Sequence, residues 1–197
     1  LSNQSLPLYC YVEDDINLYP KEKNVFYINL FETQPECRKF VERNFKKNKE
    51  ISKKIYLLDA VRFSYKVFAQ NDSRKYGNHI FYVDSDVIFQ KKIPDLWFNE
   101  CLPDDVFLSC YDRIGYYTET GFLAFNNNLK NPFNDSFSDM FFQIYLSYYK
   151  NDTIYNLPAF TDCHALDATR YKFKLLQPHV VNYRGYKEKR LGDALSY

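Results

Sequence analysis

The sequence predicts an α/β chain folded as one domain over residues 1–197, with a mostly parallel central sheet flanked by helices. Three observations carry that expectation. Apolar runs of strand length alternate with segments whose apolar residues recur at helical spacing. A chain of 197 residues is long enough to bury a sizeable core. No linker, low-complexity tract or internal repeat divides it.

Taken in order, residues 6–12, LPLYCYV, read as a first strand, and the acidic Glu13, Asp14 and Asp15 follow it. Residues 24–30, NVFYINL, read as a second. Residues 33–36, TQPE, fit a helix start: Thr33 can cap, Glu36 can close a capping box, and Pro35 is tolerated in the first turn. Phe40, Val41 and Phe45 give that helix an apolar stripe. Leu57, Ala60, Val61, Ser64, Val67 and Phe68 mark the next helix, which carries Arg62 and Lys66 four apart on one face. Like charges at that spacing disfavour a helix slightly. A bound anion would offset the cost; two solvated cations are the plainer reading.

A polar turn, residues 71–78, leads into HIFYVDSDVIF, residues 79–89. Its apolar run is expected to form a short buried strand that presents Asp84 and Asp86 at its carboxyl end, both pointing the same way on an extended chain. Residues 105–110, DVFLSC, and 121–125, GFLAF, are further strands, the latter preceded by Glu119. Phe137, Met140, Phe141, Ile144, Tyr145 and Tyr148 mark a long amphipathic helix that starts near Asn134 or Asp135 and ends before Asn151. Residues 162–171, DCHALDATRY, read as a shorter helix with Thr161 as its cap. The tail passes through a strand-like segment into NYRGYKEKR, residues 182–190.

Composition excludes several classes. The formal charge of +1 gives no sign of a nucleic-acid partner, and the basic stretch 46–54 reads as a solvated helix end or loop in preference to a polyanion site. With only five glycines, neither G-x-G-x-x-G nor G-x-x-x-x-G-K-[ST] can be built, which argues against dinucleotide and P-loop enzymes. Five irregularly spaced cysteines without a C-x-x-C argue against a disulfide framework or a structural zinc site, so a reducing, cytoplasmic setting is expected, with peripheral membrane attachment left open. No stretch is long and apolar enough to span a bilayer. No secretory signal is legible, and an anchor ahead of Leu1 is left open. Oligomeric state is not legible.

The residues that can carry chemistry form three groups. Asp84 and Asp86 offer hard oxygens suited to Mg²⁺ or Mn²⁺ shared with phosphate oxygens and water, or else simply cap a turn. Arg184, Lys187, Lys189 and Arg190 surround Gly185 and would neutralise a leaving diphosphate, or else form a solvated terminus. Asp162, with His164 and Asp167, stands at a helix start, either as a favourable dipole partner or as a general base toward a sugar hydroxyl. Glu119 is the competing base. Cys163 and His164 are adjacent and their side chains diverge, so they are no nucleophile pair.

Together, the helix with Arg62 and Lys66, then FYVDSDV, ETGFLAFN, TDCHALDATR and NYRGYKEKR resemble the GT-A family of nucleotide-sugar glycosyltransferases over nearly the whole chain. The resemblance implies a GT-A-like, Rossmann-like fold, a nucleotide-diphosphate sugar donor, a glycan or other hydroxyl acceptor, and Mn²⁺ or Mg²⁺ held by Asp84 and Asp86. It implies donor contacts from Glu13, Arg62, Lys66, Asp84, Ser85, Asp86 and Lys187, and a catalytic carboxylate at Asp162 or Glu119, with inversion if that carboxylate is a base. Branches of the family carry a C-terminal H-x-x-G followed by Lys as a second metal and diphosphate motif. Residues 182–185, NYRG, sit in that register with Asn in place of His, and Lys187 and Lys189 are each one residue off the usual lysine. Asn182 is thus the implied third metal ligand, through its amide oxygen, with His179 the runner-up.

Two other readings stay open. A haloacid-dehalogenase-type phosphatase also places D-x-D after an apolar strand, but its motif opens the domain and wants Thr or Val where Ile88 stands. A catalytically inactive GT-A fold used as a binding module would fit the altered motif at Asn182. A sugar nucleotidyltransferase lacks support, because its glycine-rich N-terminal loop is missing.

Overall fold

The computed structural model describes residues 6–53, 55–89, 92–113, 116–176, 183–185 and 195–196. The chain is mixed α/β and falls into two compact units. The first takes in the residues up to Ser73 and Leu146–Asp162; the second takes in Arg74–Tyr145 and the residues from Cys163 onward. No helix among the described residues is long and apolar enough to cross a membrane.

In the first unit, β1 (Leu8–Val12) and β2 (Val25–Asn29) pair in parallel, with Val12 opposite Asn29. Between them Asp15 caps a 3₁₀ turn, Ile16–Leu18, by accepting from Asn17 N at 2.9 Å. Asn24 takes a left-handed backbone (φ 60°), a conformation asparagine tolerates, and its carbonyl accepts from Leu8 N at 2.8 Å. Helices α1 (Leu30–Thr33), α2 (Pro35–Ser52) and α3 (Ala60–Ser73) follow. The expected Thr33 cap is not made. Asn29 opens a helical turn earlier, its Oδ1 accepting from Glu32 N at 3.0 Å, so Thr33 closes α1 and donates back to the Asn29 carbonyl. Pro35 does start α2, and Glu36 pairs with Lys39 at 2.6 Å instead of closing a capping box. Leu57 belongs to a 3₁₀ turn, Tyr56–Leu58, ahead of α3. Buried Leu30, Phe40, Val67, Phe68, Tyr149 and Ile154 form the apolar interior of this unit.

The second unit holds β3 (His79–Val83), β4 (Ile88–Phe89), α4 (Asp95–Cys101), β5 (Leu108–Tyr111) and β6 (Glu119–Asn126). Short strands β7 (Tyr183–Gly185) and β8 (Leu195–Ser196) complete it. Helices α5 (Phe137–Lys150) and α6 (Asp162–Leu176) each begin in one unit and end in the other. The four-stranded sheet runs β3-β6-β5-β7. It departs from the mostly parallel order expected: β3–β6 and β5–β6 are antiparallel, as is the separate β4–β8 pair, and among the described residues only β5–β7 here and β1–β2 in the first unit are parallel. For β5–β6, loop length gives the reason. A parallel crossover needs a dozen or more residues, and the link between Tyr111 and Glu119 is far shorter, so β5 and β6 must form a hairpin.

Each face of the sheet is covered by aromatics. Phe107 packs on Phe125, Phe137, Phe141 and Phe173 at centroid separations of 6.2, 6.2, 5.3 and 5.7 Å. A second cluster joins Phe122, Ile93 and Leu102 with Phe81, Trp97 and Phe98. This packing fixes β3 and β6, and thereby the end of the sheet where the acidic residues stand.

Candidate functional site

The Asp84-Ser85-Asp86 segment stands where β3 ends. Asp84 N donates to Gly121 O at 2.9 Å, which carries the ladder one residue past the Val83–Phe122 pair. The chain then turns, Val87 N donating to Asp84 O at 3.1 Å. The extended course expected through Asp86 therefore stops at Asp84, and Asp86 rides on the turn. The Tyr82 hydroxyl, two residues back on the same face, donates to Asp84 Oδ1 at 2.8 Å. Asp84 is half-buried, while Ser85 and Asp86 are exposed.

Glu119 opens β6 at this same end of the sheet. Its Oε1 accepts from Thr120 N and Gly121 N, each at 3.0 Å, and its Oε2 pairs with Arg113 at 3.0 Å. Gly121 thus joins the two acidic positions: its amide serves Glu119 and its carbonyl serves Asp84.

The structure adds Asp112, Thr118, Tyr117 and Arg170 at this end and gives His164 and Asp167, which the sequence groups with Asp162, contacts of their own. Asp112 follows β5 and accepts from Arg170 Nη1 at 2.7 Å. Asp167 accepts from Thr118 Oγ1 at 2.5 Å and from Thr118 N at 3.0 Å, and Arg170 also donates to Thr118 Oγ1. Arg113 lies over the Tyr117 ring at 5.3 Å, and Tyr117 contacts the His164 ring at 4.4 Å. Asp167 and Arg170 share a helix face at i,i+3, the one local sign of this network; their partners on the β5–β6 link are distant in sequence. Cys110, beneath it, is pushed up to about 12 by burial, so its thiol stays protonated at neutral pH.

In the first unit, the β1 end is held from β2. Asn29 Nδ2 donates to the Asp14 carbonyl at 3.0 Å. Burial and the neighbouring Asp14 charge raise the Glu13 carboxyl above its ordinary value, against the lowering effect of a hydrogen bond from Tyr65. A cavity of about 280 Å³ opens beside Tyr65, lined by Phe45, Asn48, Lys49, Asp59 and Arg62 among others. Arg62 is exposed there, its guanidinium 5.0 Å from the Tyr56 ring.

Lys66 does not share that setting. Its Nζ lies 3.0 Å from Asp162 Oδ2, and the Asp162 side chain is only 1% exposed. Two residues that the sequence reading gave separate tasks, a diphosphate contact and a base, are here partners in one buried ion pair. Asn182, Lys187 and the alternative His179 lie outside the described residues.

Among the described residues no three His, Cys, Asp or Glu side chains gather to hold a metal ion. The donor set at Asp84 and Asp86 still fits one class of metal. Mg²⁺ and Mn²⁺ are commonly held by one or two carboxylates, with substrate phosphates and water filling the remaining positions. No protein-family model matches the chain, and no curated protein or solved structure matches it.

Proposed function

We propose that the chain is a metal-dependent glycosyltransferase of the GT-A type, moving a sugar from a nucleotide-diphosphate donor to a hydroxyl acceptor such as a glycan. The observation that carries this reading is the D-x-D at the carboxyl end of β3, with Asp86 exposed on a turn and Glu119 opening the neighbouring strand at the same end. In this reading Asp84 and Asp86 hold Mn²⁺ or Mg²⁺. Such an ion, held by Asp84 and Asp86, would supply positive charge against the departing diphosphate. Tyr82 fixes the rotation of the Asp84 carboxyl through its hydroxyl.

Glu119 receives the acceptor hydroxyl. It stands beside the D-x-D, and two backbone amides orient its carboxyl. Asp162 is the less suited base: both carboxylates have a cation partner, Lys66 and Arg113, but the Asp162 side chain is buried where that of Glu119 is part exposed. Lys187 remains the proposed tail contact to the diphosphate. If Glu119 takes the acceptor proton, transfer inverts the anomeric centre.

The test is a thermal-shift panel of UDP-, GDP- and CMP-sugars with and without Mn²⁺. A ligand that binds only the folded chain raises its melting temperature. A metal-dependent rise with one nucleotide class is expected, and no rise with any pairing would overturn the reading. Product configuration then tests Glu119: a retained anomer would remove it as a simple base.

A further inference from the structure

We propose that the cavity at the end of α2 is a docking site for the phosphate of an anionic phospholipid, and that the apolar side chains around it enter the membrane surface. Four large apolar residues are exposed in a short stretch: Phe45 at 52%, Ile55 at 52%, Tyr56 at 56% and Leu57 at 39%. A contiguous exposed apolar patch edged by charge marks an interaction surface. Two of the four carry a cation directly. Lys49 Nζ lies 5.8 Å from the Phe45 ring centroid, and the Arg62 guanidinium lies 5.0 Å from that of Tyr56. The same Lys49, Arg62 and Phe45 line the cavity of about 280 Å³; Arg62 links it to the Tyr56 ring, which Ile55 and Leu57 flank in the chain.

The charges fit an anionic surface. Phe45, Lys46 and Lys49 on α2, and Lys53 at its C-cap, recur at spacings of one, three and four, which sets them on one side of the helix. Of the acids nearby, Glu50 pairs with Lys53 at 3.2 Å. Asp59 is engaged at its Oδ1, which accepts from Asn48 Nδ2 at 2.5 Å and from Arg62 N at 3.1 Å. Four cations (Lys46, Lys49, Lys53, Arg62) against three acids (Glu42, on the same side of α2, with Glu50 and Asp59) leave an excess of one positive charge. Neither the apolar nor the electrostatic contribution alone gives firm attachment to a bilayer; their combination is the usual requirement.

Ile55 and Leu57 decide between a bilayer and a nucleic acid. Neither has a ring on which a base could stack, and both would stay wet against RNA. In a bilayer they reach the acyl boundary while Lys49 and Arg62 stay with the headgroup phosphates. Arg62 then meets a lipid phosphate rather than the donor's diphosphate. The proposal requires neither metal nor nucleotide, so its failure is separate from that of the transferase reading.

Flotation of the full chain with vesicles tests it. Phosphatidylcholine vesicles with added phosphatidylserine should carry the chain, pure phosphatidylcholine should not, and added salt should release it. Each of Lys46→Gln and Lys49→Gln should lower the partition by about fivefold. Ile55→Ser with Leu57→Ser should release the chain from anionic vesicles while circular dichroism and melting stay as in wild type. Equal partition of the wild type and both sets of variants would overturn the proposal, as would equal binding to neutral vesicles. So would retention on single-stranded RNA without vesicle binding. Loss of UDP-sugar binding in Lys49→Gln with vesicle binding intact would assign the cavity to the donor instead.

Discussion

The ends of β1 and β3 are nearly alike in sequence and unlike in structure. Each follows a five-residue strand rich in aromatics, and each carries acidic residues, Glu13-Asp14-Asp15 in one case and Asp84-Ser85-Asp86 in the other. At the first end two of the three acidic side chains, and the backbone carbonyl of the third, meet protein partners. Glu13 takes a bond from Tyr65, Asp15 caps the turn that follows, and Asn29 holds the Asp14 carbonyl. At the second end Asp84 takes the Tyr82 hydroxyl, but Asp86 is exposed and has no hydrogen-bond or ion-pair partner among the described residues. An acidic motif becomes a candidate cation site only where its neighbours leave oxygens for one. Asp162 shows the opposite extreme, a buried carboxylate whose countercharge is built in.

The largest test of that contrast is at Asp162. Lys66→Met leaves a buried carboxylate without its cation, which costs about 3–5 kcal/mol in comparable pairs. Denaturant unfolding should show that loss, and Asp162→Leu added to Lys66→Met should recover much of it. A loss below about 1 kcal/mol would mean that Asp162 is far less dependent on Lys66 than its burial implies. Next comes Asn29→Ala, which removes both the α1 cap and the Asp14 tether; about 1 kcal/mol of stability should go.

Smaller still is Glu13→Gln. A carboxyl raised in the folded chain contributes stability below the ordinary Glu range and loses it as pH rises through the raised value. Gln removes that loss. The variant should therefore gain on wild type as pH rises through this window, by no more than about 0.5 kcal/mol because the part-exposed carboxyl is screened by solvent. A gain that appears only below the ordinary Glu range would have the wrong sign. At the β3 end, Ser85→Ala should leave stability within about 0.5 kcal/mol.

Much of this was legible in the sequence, and the rest follows a physical pattern. HIFYV, GFLAF and the stripe of Phe137, Phe141 and Tyr145 were readable because apolar periodicity is local. The position of Asp84 at a strand end was readable for the same reason. Sheet direction was not read correctly, although the short link between Tyr111 and Glu119 held the information. The partners of Asp162, Asp112 and Thr118 could not be read, because Lys66, Arg170 and Asp167 lie a whole element or more away. The Thr33 cap failed because Asn29, four residues earlier, had already started a turn.

The most direct measurement is calorimetric titration of the nucleotide sugar that gives the largest thermal shift, with and without Mn²⁺, into wild type and Asp86→Ala. Wild type should bind in a Mn²⁺-dependent manner, and Asp86→Ala should lose that dependence while its melting temperature is unchanged, since the side chain it removes is exposed on a turn. Unaltered Mn²⁺-stimulated binding in Asp86→Ala would contradict the assignment of the β3 end as the metal and donor site.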